Sequence, residues 1–498
     1  MGLKAQLAKP FAKLATRRVE RALNNPVATQ RRVLEMLLRE ARTTRFGTDH
    51  RFAQLETHGD FTEAVPVRDY EGLRPYVDRA VDGELNVLWP GRPLYFCKTS
   101  GTTSGAKYIP LTKASMPNHI GSARNALLAY IAETGNADFV NGKMIFLQGS
   151  PKMDALDSGI PFGRLSGIVA NHVPGYLQKN RMPSYDTNCI EDWETKLEHI
   201  VTETVQEDMT LISGIPSWAQ MYFERILERT GKSSISEVFP NFNLFVYGGV
   251  NFEPYRQRME QLVGKRLPSI ELYPASEGFI AYQNSQEDDG LLLVIDSGIY
   301  YEFIPADKYF DENPPRLTLD EVELGVNYAV VLNTNAGLWG YSIGDTVRFT
   351  SLEPPKIRVT GRIKHFTSAF GEHVIAEEVE RAVQVAAPMG FLPTEFHVAP
   401  EVTPAEGLPY HEWFVELERA PESLDRVADA IDASMQDQNP YYRDLISGSV
   451  LKRLVITPVK PGTFNAYMKY VGRLGGQNKP PRLANDRSVA SFLEQHKH

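Results

Sequence analysis

The run Thr99-Ser-Gly-Thr-Thr-Ser-Gly-Ala-Lys107 gathers two glycines and five hydroxyl residues and closes on a lysine. Glycine lets backbone N–H groups turn inward and approach an anion closely. The hydroxyls add donors and the lysine adds a point charge, so the run suits the phosphates of a nucleotide. It is not a Walker A loop, whose glycines stand farther apart and whose lysine is followed by Ser or Thr. Here three residues separate Gly101 from Gly105, and Lys107 leads into Tyr108-Ile109-Pro110. Bulky residues and proline favour an extended exit, so a strand–loop–strand clamp is expected. A surface hairpin rich in Ser, Thr and Gly has the same composition, and the loop alone does not separate the two.

Two segments farther along favour the clamp. Tyr247-Gly248-Gly249-Val250 ends an apolar run and opens a helical pattern, where a flat base could lie against backbone. Tyr273-Pro-Ala-Ser-Glu-Gly278 ends the next apolar run. Ligands of α/β sheets collect at the carboxyl ends of strands. Glu277 at such a place suits Mg²⁺, a hard cation that takes oxygen ligands and bridges phosphates; a salt-bridged glutamate is the plainer alternative. Tyr341-Ser-Ile-Gly-Asp345 then sets Asp345 after a glycine. A carboxylate is the usual holder of ribose hydroxyls, and an aspartate that only stabilises a turn reads the same way.

The elements needed to position these residues read as an α/β body. Helical spacing marks Gln30–Arg42, closing near Gly47, and Ser115–Glu133. Between them, residues 61–110 are rich in turns. Lys143–Leu147 reads as a buried strand and 157–189 as irregular. From there helix and strand patterns alternate: helix 190–207, strand Met209–Ser213, helix 216–230, strand Leu244–Tyr247, helix 252–263 and strand Ser269–Tyr273. Strands Ile299–Ile304, Tyr328–Leu332 and Asp345–Phe349 follow. A second unit starts near Gly361, with helix Ala376–Ala386, strands Glu395–Val398 and Trp413–Leu417, helix Glu422–Met435 and strand Val450–Ile456. The expected fold is a large body (1–360) of mixed sheets flanked by helices, plus a small α+β domain (361–498) with helices on one face. Gly361-Arg362 is either a hinge or a plain loop.

Composition narrows the function. The 498 residues carry 53 Lys and Arg against 62 Asp and Glu, a net charge of −9. That acidic excess argues against general binding to nucleic acid or to anionic membranes. Cys97 and Cys189, the two cysteines, cannot build a disulfide framework or a cysteine zinc site. A reducing, cytoplasmic compartment is expected. The opening residues alternate apolar and basic positions at helical spacing, without the apolar run of a signal peptide or spanning helix. Gly2 is followed by Gln at position 6, which breaks the myristoylation pattern. An amphipathic helix docked on the body is expected there.

The segments and their order resemble the adenylate-forming superfamily, which includes the acyl-CoA synthetases and firefly luciferase. More closely, the chain resembles the Gretchen Hagen family, the acyl-acid amido synthetases known as auxin-responsive promoter proteins. The likeness runs from about Phe61 to Arg482. It takes in Val65-Pro66-Val67 with Tyr70, the Ser/Gly loop, Gly214-Ile-Pro-Ser-Trp218, the YPASEG and YSIGD segments, Gly371-Glu372, Gly462-Thr-Phe464 and Gln477-Asn-Lys-Pro-Pro-Arg482. The resemblance implies that Ser100, Gly101, Thr102, Thr103, Ser104 and Lys107 grip the ATP β- and γ-phosphates. It places Gly248, Gly249 and Val250 beside adenine and lines the nucleotide or acyl side with Tyr273, Ala275 and Ser276. Glu277 would ligate Mg²⁺, Asp345 would take the ribose hydroxyls, and Lys479 would contact the carboxylate and α-phosphate. Asn478 stands where the plant proteins carry tyrosine. Arg124 is a candidate partner for an acidic acyl group, or simply an exposed helical arginine.

The implied activity is an ATP-dependent ligase. A small carboxylic acid is activated as acyl-AMP with release of pyrophosphate and then passed to an amine, expected to be an amino acid. The family couples the steps by rotating its small C-terminal domain, for which Gly361–Lys364 is the candidate hinge. His365 and His373 lie nearby, without a motif that assigns them. An acyl-CoA ligase would share the first step. An inactive nucleotide-binding scaffold would have lost charges that are present here: Lys107, Glu277, Asp345 and Lys479.

Overall fold

A computed structural model describes residues 3–99, 107–172, 179–190, 192–249, 252–288, 290–363, 374–402, 404, 406–447, 450–474, 479–484 and 486–497. The chain divides into two compact units. One comprises Met1–Asn251 and Arg258–Val359, the other Phe252–Gln257 and Thr360–His498.

The larger unit is built on an eleven-stranded sheet. At its heart Lys143–Phe146, Met209–Ser213, Leu244–Gly248 and Ser269–Ala275 run parallel. Met209–Ser213 and Leu244–Gly248, in the middle, are buried apolar runs of the kind expected for strands covered on both faces. The direction then reverses, because Gly278–Gln283 pairs antiparallel with Ser269–Ala275. Antiparallel strands continue outward through Leu291–Leu293 and Pro355–Arg362 to Tyr341–Leu352, Asn327–Thr334 and Ile299–Pro305. Helix Pro216–Thr230 begins with proline in its first turn and stops at Gly231, where φ is +66°; both ends match the rules for helix start and stop. Helix Met116–Thr134 likewise stops at Gly135. Against it the Leu3–Leu23 helix buries Ala5 and Ala12 in a cluster with Ala126 and Ala129, the docking expected from sequence.

Some expectations are corrected. The turn-rich stretch 61–110 holds a twelve-residue helix, Tyr70–Val81, capped by Asp69, whose side chain accepts from Gly72 N. Gly72 and Pro75 lie inside it and mask its period, while Tyr70, Leu73, Val77 and Ala80 face the core. The stretch 157–189 contains helices Leu165–Asn171 and Tyr185–Asn188, too short to show periodicity. In the smaller unit the last strand is Val455–Val459 rather than Val450–Ile456. Leu451 is instead buried in the core beside it.

The smaller unit has a three-stranded sheet. Pro393–Glu401 is antiparallel to Tyr410–Leu417, which is parallel to Val455–Val459. Helices Ala376–Ala386 and Leu424–Gln438 pack Val379, Val383, Val427 and Ile431 with Phe396, Trp413 and Val415. The other face carries Ala399, Phe414 and Val459 packed with Phe464 and Leu493, from helices Thr463–Tyr470 and Ala490–Glu494. Helices therefore cover both faces, not one. Apolar neighbours Trp413 and Phe414 point to opposite sides, so both sides needed cover.

Candidate functional site

Strands Tyr95–Thr99 and Lys107–Leu111 pair antiparallel, with Thr99 opposite Lys107. The two strands expected on either side of the run are therefore present. The tip between them, with Ser100, Gly101, Thr102, Thr103 and Ser104, lies outside the described residues, as does Val250. Lys107 stands at the start of the returning strand, its ammonium 5.6 Å from the Tyr70 ring centroid. Tyr70 in turn accepts a hydrogen bond from Tyr108 N at 2.9 Å. The Tyr70 helix thus braces the strand that carries the lysine.

Ser276 and Glu277 form a two-residue turn between Ser269–Ala275 and Gly278–Gln283, with Ala275 opposite Gly278. The turn lies beyond the carboxyl end of a parallel strand, where α/β ligands gather. Asn118, on the helix after the clamp, grips the strand past the turn: Phe279 N donates to its Oδ1 at 2.7 Å, and its Nδ2 donates to Phe279 O at 3.1 Å. Tyr341 donates to Glu277 at 3.4 Å. Burial first, and then the Glu277 carboxylate, hold the Tyr341 phenol well above its ordinary pKa. Cys97 lies 3.1 Å from the Ser276 hydroxyl. Burial pushes its thiol up to about 12; Ser276 opposes that shift and the Glu277 charge adds to it. Such a thiol stays neutral and unreactive.

Asp345 is presented by a bulge. The ladder pairs Ala329 with Thr346 but Val331 with Ser342, and Gly344 takes φ +79° to let the extra residues through. The Tyr341–Asp345 segment is thus not a turn before a strand but part of one twelve-residue strand, Tyr341–Leu352. Tyr273 donates to Asp345 Oδ2 at 2.7 Å. Gly248 ends its strand where a Cβ would lie 2.4 Å from the carbonyl oxygen of Leu272. Only glycine permits that approach, and Gly249 follows with φ +77°.

In the larger unit one link joins two sequence candidates, Tyr273 to Asp345; Lys107, Glu277 and Ser276 each meet a supporting residue, Tyr70, Tyr341 and Cys97 respectively. Arg124 is not among them; it is exposed on its helix. Tyr70, Cys97, Tyr341 and Asn118 had no role from sequence, although Tyr70 and Tyr341 fall inside the quoted segments. Lys479 belongs to the smaller unit and is exposed.

Among the described residues, one group of carboxylates lies within reach of a shared ion: Glu401, Glu412 and Glu494. Arg487 engages all three, and Lys497 and Thr457 engage Glu412. These charges are balanced by side chains. Glu277 offers one half-buried carboxylate. That fits magnesium, which takes one or two carboxylates and completes its shell with water and substrate phosphates.

The fold is one that solved ligases share. It superposes on the 2-hydroxyisobutyryl-CoA ligase in its postadenylation state with a TM-score of 0.60, at 15% identity, covering 95% of this chain and 91% of that one. The GH3.15 acyl acid amido synthetase in complex with 2,4-DB superposes with a TM-score of 0.81, at 17% identity, over 98% of this chain and 96% of that one. The sequence matches the GH3 family N-terminal domain over residues 15–188 and 165–268, its central domain over 292–362 and its C-terminal domain over 377–488. The chain belongs to the GH3 family. A jasmonoyl–L-amino acid synthetase, JAR4 of Nicotiana attenuata, is 22% identical over 511 residues, covering 86% of each chain.

Proposed function

We propose that this GH3-family chain is an ATP-dependent acyl acid amido synthetase. A carboxylate attacks the α-phosphorus of ATP; the carboxylate–phosphorus bond forms, pyrophosphate leaves, and acyl-AMP results. An amine then attacks the acyl carbon, forming the amide and expelling AMP. The observation that supports this most is the hydrogen bond from Tyr273 to Asp345, with Ser276 and Glu277 on the turn that follows the Tyr273 strand and held there by Cys97 and Tyr341.

In this reading Lys107 and the clamp hydroxyls hold the β- and γ-phosphates. Gly248 and Gly249 leave room beside the adenine, and Asp345, held by Tyr273, takes the ribose hydroxyls. Glu277 would hold magnesium, which screens the phosphates' negative charge. Lys479 would stabilise the charge that grows at the α-phosphate, where electrostatic help counts most. Attack of one anion on another is the barrier, and placing both reactants together supplies much of the rest. A small acid and an amino acid are the proposed partners, and a cytoplasmic setting fits the cysteine usage. No described helix is long and apolar enough to cross a membrane.

The test is ATP–pyrophosphate exchange across a panel of carboxylic acids, followed by product analysis with amino acids, coenzyme A and hydroxylamine. Exchange with at least one acid and an amide product are expected. Thioester in place of amide would move the chain to the CoA ligases, whose fold it shares. Absence of exchange with every acid, in a protein that binds ATP, would leave the scaffold reading.

A further inference from the structure

Arg482, in the tail of the smaller unit, is a heavily partnered side chain. Its guanidinium donates to Glu395 at 3.0 Å, to Glu380 at 3.0 Å and to the Tyr255 hydroxyl at 2.9 Å. Its charged carbon lies 4.8 Å from the Phe396 ring centroid and 5.3 Å from that of Tyr255. Burial alone would lower its pKa; Glu395, Tyr255 and Glu380 outweigh that and raise it. A planar fork engaging three acceptors has a fixed orientation that a lysine could not reproduce.

The backbone is fixed at the same point. Val398 N donates to Arg482 O at 2.9 Å and Ala484 N to Val398 O at 3.0 Å, so the tail adds a short parallel rung to the sheet. His397, buried in that strand, meets Pro481 O through Nδ1 at 2.6 Å. Upstream the sequence is Lys479-Pro480-Pro481-Arg482. Each proline fixes its own φ, and each restricts the residue before it to extended backbone. Three such steps make a stiff spacer of roughly 9 Å. An orientation fixed at Arg482 is therefore carried to Lys479 with little loss, although Lys479 itself is exposed.

We propose that Arg482, locked by Glu395, Glu380 and Tyr255, is a positioning residue that aims Lys479 through the Pro480-Pro481 spacer. The proposal rests on the adenylating role given to Lys479 above. Arg482 touches no reactant; it removes the search for direction from the lysine.

The test uses the full chain and two half-reactions: ATP–pyrophosphate exchange, and aminolysis of a supplied acyl adenylate. Arg482→Lys keeps the charge and loses the fork. It is expected to lower kcat of exchange about tenfold to a hundredfold, with the KM for ATP and the rate of aminolysis within about twofold of wild type. Pro480→Gly/Pro481→Gly leaves the ion cluster intact and softens the spacer, and it is expected to show the same split even should Arg482→Lys fold poorly. Adding Lys479→Ala to Arg482→Lys should cost nothing beyond Lys479→Ala alone. Loss in Lys479→Ala with near-normal exchange in the other two variants overturns the positioning role only, as does an additive double variant. Near-normal exchange in Lys479→Ala overturns the role of the lysine, and positioning falls with it.

Discussion

Asp345 offers the sharpest quantitative test of the nucleotide site. Tyr273 holds one of its carboxylate oxygens at 2.7 Å, and the Gly344 bulge fixes the backbone beneath it, so the carboxylate plane is set before ligand arrives. Hydrogen bonds to a charged acceptor are worth about 1.5–3 kcal/mol each. At 1.4 kcal/mol per decade, Asp345→Ala should raise the KM for ATP by about tenfold to a hundredfold or more. Tyr273→Phe keeps the charge and loosens its aim, and a rise of about threefold to tenfold is expected, smaller than for Asp345→Ala because the carboxylate still accepts from the ribose and only its preorganisation is lost. The decisive assay is exchange with ATP, 2′-deoxy-ATP and 3′-deoxy-ATP in wild type and Asp345→Ala. In wild type each deoxy analogue should bind more weakly than ATP; in the variant the three should become equal within about twofold. A wild-type enzyme indifferent to both ribose hydroxyls, or a variant that still discriminates fully, would refute the ribose role.

Glu277→Gln removes the carboxylate offered to magnesium and keeps its shape; exchange should fall by at least about a hundredfold and need more Mg²⁺ for half-saturation, and an unchanged magnesium titration would contradict the assignment. Gly248→Ala would push a Cβ to 2.4 Å from Leu272 O, an overpacking cost of about 1–3 kcal/mol that a lowered urea midpoint should report. His119 is buried and its pKa is lowered to about 4 from 6.5 by that burial. Because the unfolded state takes up the proton first as pH falls, stability from this group is present above pH 6.5 and lost between 6.5 and 4. The loss from pH 7 to pH 5 is about 2 kcal/mol, and His119→Gln should flatten that part of the stability profile in equilibrium unfolding; an unchanged slope would mean that the histidine titrates normally.

Long elements were legible from the sequence because period and caps agree. Met209–Ser213, Pro216–Thr230 and Ala376–Ala386 stand within the bounds that the pattern gives. The Tyr70 helix was hidden because an internal glycine and proline discount it, while tertiary burial of its apolar side sustains it. At the site, glycines and charged groups stood out by type, whereas their supports did not. Tyr70, Tyr341 and Asn118 act through contacts 38, 64 and 161 residues distant in sequence. No local pattern records such pairs. A turn stayed open as the alternative at Gly344-Asp345 because a bulge and a turn use the same left-handed glycine.

The joint between Ala275 and Gly278 has only two residues to give. Adding or removing one would turn the side chains of Gly278–Gln283 to the opposite side of the sheet, carrying Phe279 out of the grip of Asn118 and Ile280 and Tyr282 out of their packing. A change of chain length at this joint is therefore far costlier than one in an open surface loop, which absorbs an extra residue without moving the strands it connects.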